Sequence, residues 1–97
     1  MWYVYILFCD QKTYYVGITD NLKNRIKKHK NKESFYTKQF FDIQLVYSEK
    51  QPSKRDAEKR ELQIKKWSVA KKKALIDNDL ELLRHLSKGS GIADGLL

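Results

Sequence analysis

The sequence predicts an α+β fold with a small three-stranded antiparallel sheet flanked by helices. Residues 2–9 form a continuous apolar and aromatic run, which is typical of a strand buried on both faces. Residues 13–19 form a second β-prone run after a short polar break, and two such runs so close together predict a β-hairpin. Residues 43–49 alternate between apolar and polar and predict the third strand.

A first helix is predicted between the second and third strands. Asp20 is a suitable N-cap, because its carboxylate can accept an amide of the first helical turn. The helix is expected over residues 21–30, with Leu22 and Ile26 as its apolar stripe. Residues 31–42 are polar with several aromatic side chains, which indicates a loop over the edge of the core.

A second helix is predicted after the third strand. Ser53 is its N-cap, Asp56 three residues later completes a capping-box-like pair, and the helix runs to about residue 67. We expect a single domain over residues 1–87. The remaining segments are two shorter helices and a mobile, glycine-containing tail: residues 68–76, 80–86 and 88–97.

Charge is the strongest compositional signal. The chain has 97 residues with 20 Lys and Arg against 12 Asp and Glu, a net charge of +8. The excess lies in the two main helical segments, and it favours a polyanionic partner, nucleic acid before an anionic membrane. The longest apolar run is too short to span a bilayer, so we expect no membrane partner. No signal peptide pattern is present, so Met1 is expected to begin the folded domain.

The cysteine and histidine content limits which disulfides, cellular location and zinc sites can be expected. Cys9 is the only cysteine, so an intrachain disulfide is excluded and a reducing cytoplasm is the natural location. Two scattered histidines and one cysteine cannot form a four-ligand structural zinc site.

Glu61 is the most informative single residue. It lies on the face of the second helix that also carries Ala57, Ile64 and Ser68, so its carboxylate is directed toward a core. Such a carboxylate needs a compensating cation. Arg60 could provide one, which makes Glu61 a salt-bridged boundary residue. The alternative is a divalent-metal ligand at the lip of a cleft.

Other candidates lie on the first helix and the hairpin. Arg25 and His29 are one helical turn apart, and they suit either a general phosphate-attracting face or a catalytic pair. Tyr5 and Tyr15 lie on the two hairpin strands, where packing is the simpler interpretation. Gly17 lies on the same face as Tyr15 and leaves space for a backbone or a ligand.

Together these residues resemble a GIY-YIG nuclease domain. Within that superfamily, the chain more closely resembles the small stand-alone bacterial proteins of UPF0213 type, over about residues 1–87. The first signature departs from the family pattern, since it reads Tyr3-Val4-Tyr5 and keeps only the tyrosine. Five short motifs carry the resemblance in order: MWYVYIL (1–7), YYVGIT (14–19), RIKKHK (25–30), LVYSE (45–49) and RELQIKKW (60–67).

The resemblance implies endonucleolytic hydrolysis of DNA phosphodiester bonds with one divalent metal, Mg²⁺ or Mn²⁺. In that interpretation Glu61 binds the metal and Arg25 neutralises charge on the phosphoryl oxygens. Tyr5 or Tyr15 positions or deprotonates the attacking water. His29 has the better-matched pKa for a general base, so that assignment stays open.

DNA is the expected partner, with specificity from the loop, a protein partner or a homodimer. A non-catalytic nucleic-acid-binding module of the same fold is the main alternative, since it needs only the surface charge. The residues expected to contact nucleic acid are Gly17, Thr19, Lys23, Lys27, Lys28 and Tyr36.

Overall fold

A computed structural model describes residues 1–34 and 36–89. It shows three strands and four helices, which confirms the predicted α+β class. The third strand continues two residues beyond its predicted end. In chain order the elements are β1 (Trp2–Cys9), β2 (Thr13–Thr19), α1 (Leu22–Lys30), β3 (Ile43–Gln51), α2 (Lys54–Lys65), α3 (Val69–Ile76) and α4 (Leu80–Gly89).

The three strands form one antiparallel sheet in the order β2-β1-β3. β1 and β2 are joined by a tight turn in which Asp10 and Gln11 have φ angles of 51° and 58°. Positive φ at both central residues is the geometry of a type I′ hairpin turn, whose twist matches that of the flanking strands. The Lys12 amide closes this turn by donating to the Cys9 carbonyl at 3.1 Å.

Alternation along β1 gives the sheet two different faces. The register places Tyr5 opposite Gly17 on one side and Ser48 on the other. Tyr5, Leu7 and Cys9 lie on one face, which we call the Tyr5 face, and pack with Ile43. The apolar stripe of α1 and two aromatic rings cover this cluster: Leu22, Ile26, Tyr15 and Phe40.

The ends of α1 and α2 differ in part from prediction. The N-cap of α1 is Asn21, whose side chain accepts the Asn24 amide at 3.0 Å, so the assignment to Asp20 was wrong by one residue. Thr19 explains the shift, because its hydroxyl oxygen accepts a hydrogen bond from the Asn21 amide at 3.1 Å and so orients the backbone just before the helix. The capping pair of α2 is confirmed, since Ser53 Oγ accepts the Asp56 amide at 3.2 Å and donates to its carboxylate at 3.0 Å.

Contacts group the chain into two compact units, Met1–Leu62 and a second that begins at Gln63. In the second unit α3 and α4 pack together, with Ser68 as the N-cap of α3 as predicted. The Lys71 ammonium lies 4.4 Å from the centre of the Trp67 ring. The single domain over residues 1–87 stays a prediction.

The predicted tail lies mostly outside the described residues. α4 extends through Gly89, so it is longer than the segment predicted for it. Residues 90–97 are outside the described ranges. None of the helices in the described part of the chain is long and apolar enough to cross a membrane.

Candidate active site

A buried hydrogen-bonded chain joins β1, α1 and the loop between α1 and β3. The Tyr5 hydroxyl lies 2.9 Å from His29 Nε2, and His29 Nδ1 lies 2.6 Å from Thr37 Oγ1. Tyr5 is 1% exposed, and both His29 and Thr37 are fully buried. His29 is therefore held on both ring nitrogens by hydroxyl groups and faces the interior rather than the solvent.

Gly17 determines where the Tyr5 ring can lie. A Cβ atom at residue 17 would be 2.6 Å from the Tyr5 hydroxyl oxygen and 2.7 Å from Cζ. No real side chain tolerates such distances, so the missing Cβ makes the room in which the phenol lies. The space that the sequence predicted beside Gly17 is thus taken by Tyr5, and the role of Gly17 in nucleic-acid binding stays a prediction.

Aromatic rings surround His29. The ring centroids of Tyr5 and Tyr15 lie 5.7 Å and 5.3 Å from that of His29, both in edge-on orientation. Tyr36 stacks on Tyr15 with 6.5 Å between centroids and 29° between planes. Tyr36 is 67% exposed. The aromatic cluster therefore extends from the buried histidine to the surface, where Tyr36 presents a ring to solvent.

Two charged side chains act on this cluster. Burial raises the pKa of Tyr5 above its usual value, Tyr15 adds to the shift, Arg25 opposes it and Glu61 adds again. Burial also raises the pKa of Tyr15, with Glu61 adding and Arg25 opposing. The charges of Arg25 and Glu61 are thus both felt by both phenols. The five predicted catalytic residues all lie in the first compact unit.

These shifts bear on which group can accept a proton. The higher pKa keeps both tyrosines protonated near neutral pH, so a tyrosinate base is disfavoured. Burial, and then Arg25, lowers the pKa of His29 below 6.5. His29 is therefore neutral at neutral pH with one unprotonated ring nitrogen, and the same burial makes that nitrogen a weaker base than a free imidazole.

Glu61 is half-buried on α2. Arg60 was the cation predicted to pair with Glu61. Its Nε atom instead donates to both carboxylate oxygens of Glu49 on β3, at 3.1 and 3.2 Å. Among the residues that the structure describes, no three His, Cys, Asp or Glu side chains are grouped to hold a metal ion.

A single carboxylate fits a particular kind of metal site. Mg²⁺ and Mn²⁺ accept oxygen ligands, and Mg²⁺ usually keeps several waters and takes one or two carboxylates together with substrate phosphate oxygens. Glu61 fits a site of that kind, in which water and substrate oxygens would supply the other ligands. It does not fit a cage made wholly by protein side chains.

The predicted nucleic-acid contacts differ in accessibility. Lys23, Lys27 and Lys28 are exposed on α1, and the first two line a shallow depression with Asn21 and Asn24. Lys23 lies in the first turn of α1, whereas Lys27 and Lys28 lie in its last turn, so the basic surface runs along the length of the helix. Thr19, by contrast, is only 4% exposed.

Thr37 is the site residue that the sequence did not reveal. It lies in the loop between α1 and β3, where no periodic pattern distinguishes one residue from another. Its Oγ1 contact with a buried histidine could be found only from the fold. The one sequence signal is weak: a threonine eight residues after His29, at a distance that a folded loop can bridge.

Comparisons with known proteins identify the family of the chain. A family model described as the GIY-YIG catalytic domain matches residues 1–74. The chain belongs to the GIY-YIG family. It is 43% identical over 77 residues to a UPF0213 protein of Clostridium perfringens, a match that covers 78% of this chain and 83% of that one. A UPF0213 protein of Syntrophus aciditrophicus is 42% identical over 81 residues, covering 81% and 93% of the two chains.

A solved structure supports the fold of this GIY-YIG protein. The solution NMR structure of a UPF0213 protein from Bacillus halodurans is similar, with a TM-score of 0.52 and 38% sequence identity. The match covers 79% of this chain and 84% of that one. GIY-YIG domains generally belong to divalent-metal-dependent endonucleases, so membership indicates a nuclease-type function with a nucleic-acid substrate.

Proposed function

We propose that the protein is an endonuclease that hydrolyses DNA phosphodiester bonds with one divalent metal, Mg²⁺ or Mn²⁺, on single-stranded or structured DNA. The observation that carries this proposal is the hydrogen bond between Tyr5 and neutral His29, formed where the charges of Arg25 and Glu61 both act. A binding surface needs exposed lysines, but it does not need a buried proton acceptor beside an arginine and a carboxylate.

Tyr5 and His29 provide a path for the proton of the attacking water. As the water oxygen bonds to phosphorus, its proton passes to the Tyr5 oxygen while Tyr5 gives its own proton to His29 Nε2. The bond between phosphorus and the leaving oxygen breaks in the same step. Tyr5 thereby relays a proton without becoming an isolated phenolate, which its raised pKa disfavours.

Arg25 and Glu61 supply the charges. Arg25 is exposed, so it can reach the phosphate, and its planar guanidinium suits two phosphoryl oxygens at once. Glu61 would hold the cation together with water and phosphate oxygens. When bound, the metal would polarise the scissile phosphate and stabilise the leaving oxygen.

Replacing Glu61 by glutamine tests this proposal. Glutamine keeps the shape and one oxygen but loses the negative charge that holds a divalent cation. We expect cleavage to fall by roughly 10²–10³-fold, as is typical for losing one electrostatic contributor to the transition state. DNA binding and the melting temperature should stay close to those of the unchanged protein. The measurements are cleavage of labelled single- and double-stranded DNA with Mg²⁺ or Mn²⁺, a binding titration and a thermal melt.

Glu58→Gln is the matched control. Glu58 lies on the same helix, one turn before Glu61, and is exposed. The Glu58→Gln substitution removes the same charge at a residue outside the proposed site, so the cleavage rate of this variant should be unchanged. A Glu61→Gln variant that melts earlier but cleaves fully would defeat the metal-ligand assignment. DNA binding without cleavage by the unchanged protein would instead favour the non-catalytic binding module.

A further inference from the structure

Thr37 holds the side of His29 that is remote from Tyr5. Its hydroxyl oxygen is 2.6 Å from His29 Nδ1, and neither residue has any exposed surface. The loop around Thr37 is ordered by local backbone contacts, since the Thr37 and Lys38 amides both donate to the Ser34 carbonyl and Phe40 donates to the Thr37 carbonyl. The hydroxyl is therefore presented to the ring by a folded turn.

A neutral imidazole has one donor nitrogen and one acceptor nitrogen. Two arrangements of protons along the Tyr5–His29–Thr37 hydrogen-bonded chain are consistent with its two distances. In the first, His29 donates through Nδ1–H to Thr37 and accepts the Tyr5 hydroxyl proton at Nε2. In the second, Thr37 donates to Nδ1, and His29 donates through Nε2–H to the Tyr5 oxygen. Only the first leaves Nε2 able to receive a proton from Tyr5.

Hydrogen-bond strength favours the first arrangement. A phenol is a more acidic donor than an imidazole N–H, and an imidazole nitrogen is a more basic acceptor than a phenol oxygen. The bond from Tyr5 to Nε2 therefore pairs the better donor with the better acceptor. Thr37 then needs only to accept, which a hydroxyl oxygen can do with either lone pair.

We propose that Thr37 is a positioning residue, which holds the His29 ring with its proton on Nδ1 and so directs Nε2 at the Tyr5 hydroxyl. The partner of the second ring nitrogen commonly determines which nitrogen of a functional histidine carries the proton. A hydroxyl does this without adding a negative charge to the site. The inference rests on the proposed endonuclease function for its catalytic consequence, but the position of the proton can be measured without any turnover.

Nitrogen-15 NMR of the imidazole rings tests the proposal directly. In the unchanged protein at pH 7.5, His29 should show a protonated Nδ1 and an unprotonated Nε2. The second histidine, His85, is exposed on α4 and provides an internal reference. Thr37→Val is close in shape but lacks the hydroxyl, so it should abolish the single fixed tautomer at His29. It should also lower kcat about tenfold, roughly the effect of one hydrogen bond, with KM little changed.

Thr37→Ser is the matched variant, because it restores a hydroxyl on a smaller side chain. It should recover both the tautomer and most of the rate. A protonated Nε2 in the unchanged protein would overturn the proposal, and so would a Thr37→Val variant with an unchanged tautomer and rate. If Thr37→Val does not fold, the unchanged protein and Thr37→Ser still decide the question. Absence of cleavage with a fixed Nδ1–H tautomer would overturn the endonuclease proposal alone and leave the ring orientation by Thr37 supported.

Discussion

The two faces of the sheet each carry a hydrogen-bonded tyrosine, fully buried at Tyr5 and half-buried at Tyr47, and the two have different partners. On the Tyr5 face the phenol meets a neutral histidine. On the opposite face Tyr47 donates to Glu49 at 2.6 Å, and Arg60 pairs with the same carboxylate. Register alternation places the two tyrosines on opposite sides, since Tyr5 pairs with Ser48 and Tyr47 pairs with the next residue of β1.

Burial raises the pKa of both phenols, so the difference lies in the partners. Around Tyr47 the hydrogen bond to Glu49 raises the pKa further. Glu49 also receives the Gln51 side-chain amide at 2.6 Å, so its two oxygens are well supplied with donors and its charge is matched by Arg60. That network joins β3 to α2. The Tyr5 hydroxyl, by contrast, has a neutral imidazole as its hydrogen-bond partner, with the exposed Arg25 on the same helix as that ring. The same side chain therefore belongs to an ion-paired network on one face and to a neutral histidine pair on the other.

The largest expected effect comes from removing the Tyr5 hydroxyl, with removal of the Tyr47 hydroxyl as the comparison. Tyr5→Phe should reduce cleavage by about 10²–10⁴-fold, the usual contribution of a positioned proton-transfer group. Tyr47→Phe should leave the cleavage rate unchanged and cost about 1 kcal/mol of unfolding free energy, because Glu49 keeps its other donors. Cleavage assays and urea unfolding on both variants make the comparison. Equal losses of activity in the two variants would remove the functional distinction between the faces.

Gly17→Ala is expected to have the next largest effect. The new methyl would lie 2.6 Å from the Tyr5 hydroxyl, so the buried ring must move away from His29. We expect a loss of about 1–3 kcal/mol in unfolding free energy, the range for overpacked cores, together with reduced cleavage. The same change in a Tyr5→Ala background should cost much less, because the clashing ring is gone. If Gly17→Ala costs the same in both backgrounds, the methyl does not act through Tyr5.

The fold was largely predictable because its signals are local. The hairpin followed from two β-prone runs around a short break, and the type I′ turn at Asp10 and Gln11 confirms it. Ser53 was recognised from its spacing to Asp56, whereas Asp20 was chosen over Asn21. That error arose because both side chains can cap a helix, and only the hydroxyl of Thr19, which is held in place by β2, decides between them.

Most members of the candidate site could be proposed from the sequence, but their connections and Thr37 could not. Tyr5, Arg25 and Glu61 could be proposed from motif order and from the resemblance. The hydrogen bonds from Tyr5 to His29 and from His29 to Thr37 join residues that are 24 and 8 positions apart in the sequence. Such contacts depend on the tertiary fold, and no periodic pattern in the sequence predicts them. The ion pair between Arg60 and Glu49 could not be predicted from the sequence either, because Glu49 lies eleven residues earlier on a different element.

The smallest expected effect is an acid sensitivity specific to the Tyr5 face. Burial and Arg25 lower the pKa of His29 below its ordinary 6.5, so below about pH 6.5 the unfolded chain binds more protons than the folded one. The free energy of unfolding should then decrease as the pH is lowered, by at most about 1.4 kcal/mol per pH unit from this one group. Well above pH 6.5 both states are neutral at this residue, and the contribution is constant. Urea unfolding between pH 5.5 and 8 should show the loss in the unchanged protein and in the exposed control His85→Gln, but not in His29→Gln. An equal loss in all three proteins would mean that the acid sensitivity arises elsewhere and that His29 does not separate the two faces.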